Sequence, residues 1–410
     1  MSRSRRTLAA IGPGLILAAT GVGAGDLATA SIAGSRLGLV VLWAVVVGAV
    51  FKYLLNEGLA RWQLATGTTL LEGVMEKLGR VFGLGFLLYL LIWSLAVGRA
   101  LVSACGVTAH ALWPVFADAT TGLRVFGAAH SVAGVALVLV GGYRLVERVM
   151  GAAVVLMFGT VVVTAVRLAP DAGEVFRGLT IPTIPLAVEG GLTWTVALLG
   201  GVGGTVTLLC YGYWIREEGR SGPEDLGICR IDLATGYLTT AVFGLAMVIV
   251  GATIRVEGGG ASLLVDLGAR LEESLGVTGR RLFLLGAWGA VASSLLGVWQ
   301  SVPYLFADLW RLMTAPESSR RTVDVRGIAY RGYLLALGTV SVAGLGTSFV
   351  QVQKAYAVLG ALFIPLLALA LLLLNGRAAW VGAGNRNGPL ATAGLVACLA
   401  VFAFFAWLSR

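Results

Sequence analysis

The residue that raises the chemical question of this chain is Asp26, in the stretch LAATGVGAGDLATASIAGSRLG at 17–38. The stretch lies in the first long apolar run, where a charged side chain is costly and is usually retained for a function. The glycines of GVGAGD at 21–26 weaken a helix at this point. A break there exposes backbone carbonyls beside the carboxylate, and this combination of oxygens suits a hard cation.

Two cationic residues also lie deep in apolar segments, Arg99 in SLAVGRALVS and Lys354 in VQVQKAYAVLG. Either is able to pair with Asp26, and a paired Asp26 would be structural rather than cation-binding. Gln351 and Gln353, beside Lys354, offer amide oxygens either as cation ligands or as simple helix-cap contacts. The residues alone leave these readings open.

The elements that must position these residues are membrane-spanning helices. Of the 410 residues, 58% are hydrophobic and 12% are charged, against about 25% charged in soluble domains. The mean hydropathy of +0.88 excludes an ordinary soluble protein. A spanning helix needs about 20 mostly apolar residues. Eleven segments are predicted: about 8–33, 38–55, 82–112, 125–141, 146–168, 190–214, 229–253, 281–311, 330–349, 352–374 and 388–408.

A second glycine cluster, GGVGGTVT at 200–207, falls in segment six. Segments one and six are corresponding members of two five-helix halves, and paired interrupted helices mark the substrate site of many transporters. The alternative is that both clusters are packing glycines in continuous helices. We expect one membrane domain, with repeat one at about 8–168, repeat two at about 190–374 and an extra helix at about 388–408.

The net charge of +9 is explained by where Lys and Arg lie relative to the membrane and does not indicate an acidic partner. Lys and Arg concentrate at the ends and loops that are cytoplasmic if the N-terminus is inside, as the positive-inside rule requires. We therefore expect a multi-pass inner-membrane protein with a cytoplasmic N-terminus and a retained first segment. No motif supports nucleic-acid binding, and the sequence indicates no protein partner. One such loop carries four arginines: Arg320, Arg321, Arg326 and Arg331.

Cysteine and histidine usage gives no sign of a structural metal cluster. The chain has four cysteines, without paired spacing, and two histidines. We expect the cysteines to be small apolar core residues. GVGAGD follows no predicted strand, so it is not a dinucleotide fingerprint. With no nucleophile–base pair in the sequence, we expect neither an enzyme nor a cofactor. The cysteines are Cys105, Cys210, Cys229 and Cys398.

Three stretches resemble the Nramp family of divalent-metal transporters. IGPGLILAATGVGAGDLATASIAGSRLG at 11–38 is similar to that family's first helix, which carries an Asp-Pro-Gly-Asn break. The loop ARWQLATGTTLLEG at 60–73 resembles the family's Ala-Arg-Leu-Gly-x-x-Thr-Gly segment, and GALFIPLLALALLLLN at 360–375 resembles its tenth helix. The resemblance implies an all-α integral membrane protein of eleven helices. It further implies a leucine-transporter-type inverted repeat (5+5), with broken helices 1 and 6.

The departures from the family pattern lie at its chemical positions. The Asp-Pro-Gly-Asn break becomes GAGD at 23–26, and the Met-Pro-His of the sixth helix becomes GTV at 204–206. The acidic pair of the third helix becomes about Ala100 and Ser103. Without the thioether, discrimination in favour of soft transition metals is lost. The pattern is similar to the Nramp-related magnesium transporters, and the missing acids and histidine favour uncoupled uptake.

The resemblance implies a secondary transporter that moves a divalent cation such as Mg²⁺ or Mn²⁺ into the cell by alternating access, in a lipid bilayer. The divalent metal is then the transported substrate. An amino-acid or other organic-solute transporter of the same fold is the alternative, with Asp26 meeting a substrate amine and Arg99 or Lys354 a carboxylate. A non-transporting receptor or scaffold is a third class. The implied metal ligands are Asp26, carbonyls around Gly23 and Gly204, Thr205, Thr207, and Gln351 or Gln353.

Overall fold

The computed structural model describes residues 12–23, 25–168, 170–253, 263–314, 323–346 and 348–410. The basic N-terminus, the first residues of segment one, Ala24, Arg320 and Arg321 lie outside the described residues. The described residues contain no strand. Within these ranges the chain forms fifteen α-helices: α1 Gly12–Gly21, α2 Ala30–Leu37, α3 Leu42–Thr66, α4 Leu70–Leu78, α5 Arg80–Leu112, α6 Ala119–Arg167, α7 Ala172–Thr180, α8 Gly191–Gly201, α9 Tyr211–Glu217, α10 Leu226–Gly251, α11 Leu263–Thr314, α12 Ile328–Ala343, α13 Phe349–Asn375, α14 Ala378–Val381 and α15 Pro389–Leu408.

The expectation of about eleven apolar segments in an all-α membrane protein is confirmed. Among the described residues, nine helices are long and apolar enough to cross a membrane. These nine helices agree with eleven predicted segments for two reasons. One of the nine, Asp26–Thr66, contains the end of segment one together with segment two, and segment nine forms the apolar helix α12, which is shorter than the others. Segments four and five form the spans Ala119–Gly141 and Arg148–Arg167 within α6.

Both predicted helix breaks are present. α1 ends at Gly21, and a short π-helix over Gly25–Thr29 separates it from α2. π-Helical turns are rare and are frequently found at functional sites. α8 ends at Gly201, and a 3-10 turn over Val206–Cys210 precedes α9. Between these two elements the backbone of Gly203 and Gly204 has φ of 84° and 85°, a region that only glycine enters readily.

The two interrupted helices occupy the middle of the bundle. The helices α1 and α2 pack against α10, while α8 packs against α13 and α3. The long helices α5, α6 and α11 pack together on another side. The largest fully buried side chains are aromatic and lie in this interior: Trp62, Trp93, Trp194, Trp214 and Trp299.

The structure corrects some predicted boundaries. The second segment does not end near residue 55, because α3 continues to Thr66. The last three turns of α3 contain polar residues that neighbouring helices bury, so hydropathy alone underestimates the length of this helix. The connection between α6 and α8 contains the short helix α7. The helix α11 is interrupted at Gly276, whose φ of 72° is non-helical.

Candidate functional site

The two broken helices meet backbone to backbone. A Cβ placed on Gly21 would lie 2.7 Å from the carbonyl carbon of Gly203, closer than real carbon atoms approach. Gly204 faces the same point, since a Cβ on it would lie 3.4 Å from the Cα of Gly21. The glycines therefore allow the two breaks to touch, as small residues do at close helix crossings in membranes.

Asp26 lies in the π-helix at this crossing and is fully buried. Its Oδ2 accepts a hydrogen bond from the backbone N–H of Gly203 at 3.1 Å, so the carboxylate of one broken helix holds the break of the other. Its Oδ1 has no hydrogen-bond partner. A Cβ on Gly244 of α10 would lie 3.6 Å from Oδ1, so α10 packs directly beside this oxygen.

The cation beside Asp26 is Lys52 of α3, which the sequence reading missed. Lys52 is fully buried, and its ammonium donates a hydrogen bond to the carbonyl of Val202 at the second break. It interacts electrostatically with Asp26 without a direct ion-pair contact. A buried ion needs compensation of this kind, so Lys52 and Asp26 form one charged unit at the crossing.

Neither Arg99 nor Lys354 takes the place of Lys52. Arg99 is half-buried and packs against the end of α12, where a Cβ on Gly344 would lie 2.8 Å from its guanidinium carbon. Lys354 is exposed on α13. In the part of the chain that the structure describes, neither forms an ion pair with Asp26.

Of the two predicted glutamine ligands, one is buried and the other is exposed. Gln353 is fully buried, and its amide N–H donates to the carbonyl of Ala100 at 2.9 Å. Its Oε1 has no partner. Gln351, the other predicted ligand, is exposed. Tyr356, one turn beyond Gln353 on the same buried face, interacts electrostatically with Asp26.

The two predicted threonines lie in the second break and are buried. The Thr205 hydroxyl accepts a hydrogen bond from the Trp93 indole N–H at 3.0 Å. The Thr207 hydroxyl has no partner, and a Cβ on Gly204 would lie 2.8 Å from it. Buried polar atoms without partners are uncommon in proteins, and among the described residues five such oxygens lie in the broken helices or at Gln353 of α13: Thr20 Oγ1, Asp26 Oδ1, Thr29 Oγ1, Thr207 Oγ1 and Gln353 Oε1.

Gly23 lies against α11. A Cβ on this glycine would collide with the side chain of Ser294, whose hydroxyl donates to the carbonyl of Thr20 at 2.6 Å. The adjacent Ser293 donates to the carbonyl of Ala19 at 3.3 Å. The end of α1 is therefore anchored through its exposed carbonyls, which secures the break against α11.

Side chains that usually form a resident metal cluster do not gather here. Among the described residues, no group of three or more His, Cys, Asp or Glu is placed to hold a metal ion. The prediction for the cysteines is confirmed, since all four are buried and unbridged. The crossing is therefore a site of oxygen atoms and one ammonium.

A different arrangement surrounds Asp232 of α10, near the predicted cytoplasmic end. Its Oδ1 accepts from the Gly14 backbone N–H at 2.8 Å. Its Oδ2 accepts from the Tyr211 hydroxyl at 2.8 Å and from Arg220 at 3.0 Å. We call Gly14, Tyr211, Arg220 and Asp232 the Asp232 cluster. It binds α1 and α9, one half of each broken helix, to the same carboxylate.

Glu72 forms a second junction at this end. Gly67 ends α3 in a left-handed conformation, and Thr69 and Glu72 form a capping box that begins α4. Glu72 also binds Arg216 of α9 at 3.2 Å and Arg311 of α11 at 2.9 Å. Burial would raise the pKa of Glu72, but the Thr69 backbone N–H and the two arginines outweigh it and lower that pKa.

The breaks, the crossing and the long bundle agree with one family. A family model described as natural resistance-associated macrophage protein-like, Nramp, matches residues 14–409. The chain belongs to the Nramp family. The match extends over nearly all of it, which confirms the resemblance seen in three short stretches.

The curated relatives of this Nramp chain are distant. It is 24% identical over 253 residues to a divalent metal cation transporter MntH of Chromohalobacter salexigens, covering 59% of this chain and 56% of that protein. It is 26% identical over 270 residues to the MntH of Bacillus subtilis, covering 62% and 60%. The matched regions therefore span little more than half of these relatives. With the MntH of Mycobacterium leprae, 24% identity extends over 74% of both chains.

Solved structures support the fold. A mutant of the manganese transporter of Eremococcus coleocola superposes with a TM-score of 0.76 at 15% identity, covering 100% of this chain and 87% of that one. MhsT in complex with L-phenylalanine superposes with a TM-score of 0.63 at 15% identity, covering 97% of both. At this identity the likeness concerns the fold alone, and it confirms the leucine-transporter-type inverted repeat with broken helices 1 and 6.

Proposed function

We propose that this Nramp-family chain is a secondary transporter that moves a divalent cation into the cell by alternating access. The observation that carries the proposal is Asp26, a fully buried carboxylate with one free oxygen where the two broken helices meet. Broken helices that cross at the middle of the membrane bind substrate in transporters of this construction. Membership of a family whose curated members include divalent metal cation transporters supports the same conclusion.

The donor atoms favour a hard cation. Asp26 Oδ1, Thr207 Oγ1 and Gln353 Oε1 are buried oxygens without partners, and carbonyls at Gly23 and Gly204 complete the proposed ligand set, with Thr205. Oxygen ligands suit Mg²⁺ and Mn²⁺, whereas a thioether would be needed to favour softer metals. The exposed Gln351 is left out of this set.

Proton coupling is not part of the proposal. The segment-three positions that are acidic in the family pattern are Ala100 and Ser103, and the Ser103 hydroxyl donates to the Ala100 carbonyl at 3.0 Å. A chain without those acids has no proton carrier at that place, so downhill uptake is expected. Influx of Mn²⁺ into proteoliposomes should leave the internal pH unchanged, and a pH dye in the lumen measures it. Cation-dependent acidification would contradict this part.

Alternating access is proposed to proceed by movement of the half-helices about the crossing. Asp26 and Lys52 are fully buried, so this conformation is occluded from both sides. The Asp232 cluster binds α1 and α9 together at one end. Releasing it would let both half-helices swing and open the site to that side. The inner-membrane location, the cytoplasmic N-terminus and the repeat boundaries at 8–168 and 190–374 belong to this proposal.

The test is uptake of Mn²⁺ and Mg²⁺ into proteoliposomes by wild type, Asp26→Ala and the control Glu189→Ala. Glu189 is exposed in the loop before α8, so its loss removes one negative charge away from the crossing. We expect uptake by wild type and the control but not by Asp26→Ala. Full uptake by a folded Asp26→Ala protein would overturn the site assignment.

The adjacent charges of Asp26 and Lys52 favour one other substrate class. A site that holds both signs suits a zwitterionic organic solute, whose amine would meet Asp26 and whose carboxylate would meet Lys52. Uptake of radiolabelled amino acids by the same proteoliposomes tests this candidate. Amino-acid uptake without uptake of either cation would replace the cation by a zwitterion as the substrate.

A further inference from the structure

Among the described residues of the crossing, Lys52 is the side chain whose charge opposes the proposed cargo. Lys52 is fully buried, and its ammonium donates to the carbonyl of Val202, directly before the Gly203 N–H that binds the carboxylate of Asp26. A fixed positive charge near that carboxylate repels an incoming cation, and the repulsion is strong where water is excluded. A site built only for tight cation binding would not contain this residue, so its presence needs an explanation.

The surroundings of Lys52 are made to hold its charge. The ammonium donates to the Val202 carbonyl, which α8 leaves without a helical partner at the break. A Cβ on Gly203 would lie 3.6 Å from the Lys52 side-chain Cδ and 3.8 Å from Nζ. The same Cβ would lie 2.8 Å from Thr240. Glycine at this position therefore avoids a clash with Thr240 and lets the second break pass in van der Waals contact with the lysine stem.

The interaction with Asp26 differs from the other buried ion pairs. Arg220 contacts Asp232 at 3.0 Å, and Arg311 contacts Asp308 at 2.5 Å. Lys52 interacts with Asp26 through space and donates its hydrogen bond to the carbonyl of Val202 instead. A compact ammonium on a flexible stem, bonded to a carbonyl rather than to the carboxylate, is able to shift more readily than an arginine in direct contact with its aspartate.

We propose that Lys52 is an internal cation that balances Asp26 while the site is empty and competes with the transported cation for it. This inference rests on the proposed function. When a divalent cation binds Asp26, the ammonium withdraws from the carboxylate. When the cation leaves, Lys52 again compensates the buried carboxylate, so the empty protein returns to the opposite side without carrying an unpaired charge through the membrane. Its bond to Val202 links this movement to the second broken helix.

The test compares initial rates of Mn²⁺ uptake by wild type, Lys52→Met, Lys52→Arg and the control Lys77→Met. Methionine keeps the length of the stem and removes the charge, while arginine keeps the charge. Lys77 is a partly exposed lysine on α4, bonded to the neighbouring Glu76. We expect Lys52→Met to lower the KM for Mn²⁺ by about tenfold or more and to lower kcat. Lys52→Arg should restore the KM towards the wild-type value, and Lys77→Met should leave both constants unchanged.

A merely structural lysine gives a different result. It would lower kcat in both Lys52 variants without lowering the KM, and that outcome overturns the inference while leaving the proposed function intact. Equilibrium binding of Mn²⁺ to the detergent-purified proteins provides a second readout that does not depend on turnover. It should show tighter binding by Lys52→Met. If folded wild type and Lys52→Met neither bind nor transport Mn²⁺ or Mg²⁺, the proposed function and the inference both fall.

Discussion

Asp26 and Asp232 are both fully buried in helices of the same bundle, yet their surroundings differ. Asp232 accepts hydrogen bonds on both oxygens from a backbone N–H, a tyrosine and an arginine. Asp26 has one backbone bond, one free oxygen and a lysine at a distance. Burial alone therefore does not identify a binding site. The two residues differ in how many of their carboxylate oxygens already have a hydrogen-bond partner within the protein.

A carboxylate with hydrogen bonds to both oxygens, such as Asp232, suits a closed end of the bundle. A carboxylate with one oxygen that has no partner, such as Asp26, suits a ligand. The Asp232 cluster connects the half-helices α1 and α9 to α10, which fixes one conformation of the bundle. Asp26 is preorganised by Gly203 but keeps an oxygen for something that the fold does not supply. Substitutions at Asp232, Glu72, Asp26 with Lys52, and Gln353 test this contrast.

The largest effect on stability is expected from Asp232→Ala. The change removes three hydrogen bonds and leaves the buried Arg220 without its carboxylate, and breaking a buried pair typically costs about 3–5 kcal/mol. Thermal unfolding in detergent measures the loss. Asp232→Asn, which keeps the shape, should recover part of it. A melting temperature equal to that of wild type would mean that the cluster does not hold the half-helices.

A smaller, pH-dependent loss is expected from Glu72→Gln. The ionised Glu72 accepts charge-assisted bonds from Arg216 and Arg311, and bonds of this kind contribute about 1.5–3 kcal/mol. Because folding lowers the pKa of Glu72 below its ordinary 4.5, its contribution is complete above that value. It is lost as the pH falls through the lowered pKa.

Unfolding of wild type and Glu72→Gln should therefore differ at neutral pH and converge in acid. Exposed Glu76, four residues further along α4, provides the matched control as Glu76→Gln. A stability difference that is constant with pH would show that the loss comes from packing rather than from the charge.

Asp26 and Lys52 should be coupled to each other. Asp26→Asn and Lys52→Met each leave one buried charge alone, whereas the double variant removes both, so the double variant should be more stable than the two single losses predict. A double-mutant cycle on unfolding in detergent should give a coupling of about 0.5–3 kcal/mol. Additive losses would mean that the two residues are not one charged unit.

The smallest effect is expected at the proposed amide ligand. Gln353→Leu removes a buried oxygen without a partner and should raise the KM for Mn²⁺ by about two- to tenfold, the value of one neutral ligand bond. Gln351→Leu, on the exposed side of α13, should have less effect. Initial rates of uptake over a range of Mn²⁺ concentrations measure both. An equal or larger effect at Gln351 would reverse the assignment.

The helix breaks were predictable because their cause is local. Glycine clusters inside apolar segments weaken a helix whatever surrounds it, and the helix is interrupted at both clusters in the structure. The start of α4 is equally local, since the Thr69–Glu72 spacing is that of a capping box. The choice between the glutamines also had a signal. Gln353, Tyr356 and Gly360 follow the helical period of one buried face, and Gln351 does not.

Lys52 was not predictable from hydropathy, because its position depends on what covers the end of α3. Read alone, segment two ends near residue 55 and places Lys52 close to water. In the fold, the polar residues Asn56, Arg61 and Gln63 are buried by other helices, and α3 continues to Thr66. The lysine is thereby moved towards the middle of the bundle. Its contact with Val202 joins positions 150 apart in the chain, which no local pattern encodes.

The most direct test of the account is to locate Mn²⁺ in crystals of the wild-type protein by anomalous diffraction. The account predicts a single strong peak within about 2.0–2.6 Å of Asp26 Oδ1, with the Lys52 ammonium displaced from the carboxylate, and no such peak in crystals of Asp26→Ala. A peak at Asp232 or Glu72, or saturating Mn²⁺ with none beside Asp26, would contradict the claim that Asp26 is the carboxylate kept free for the transported cation.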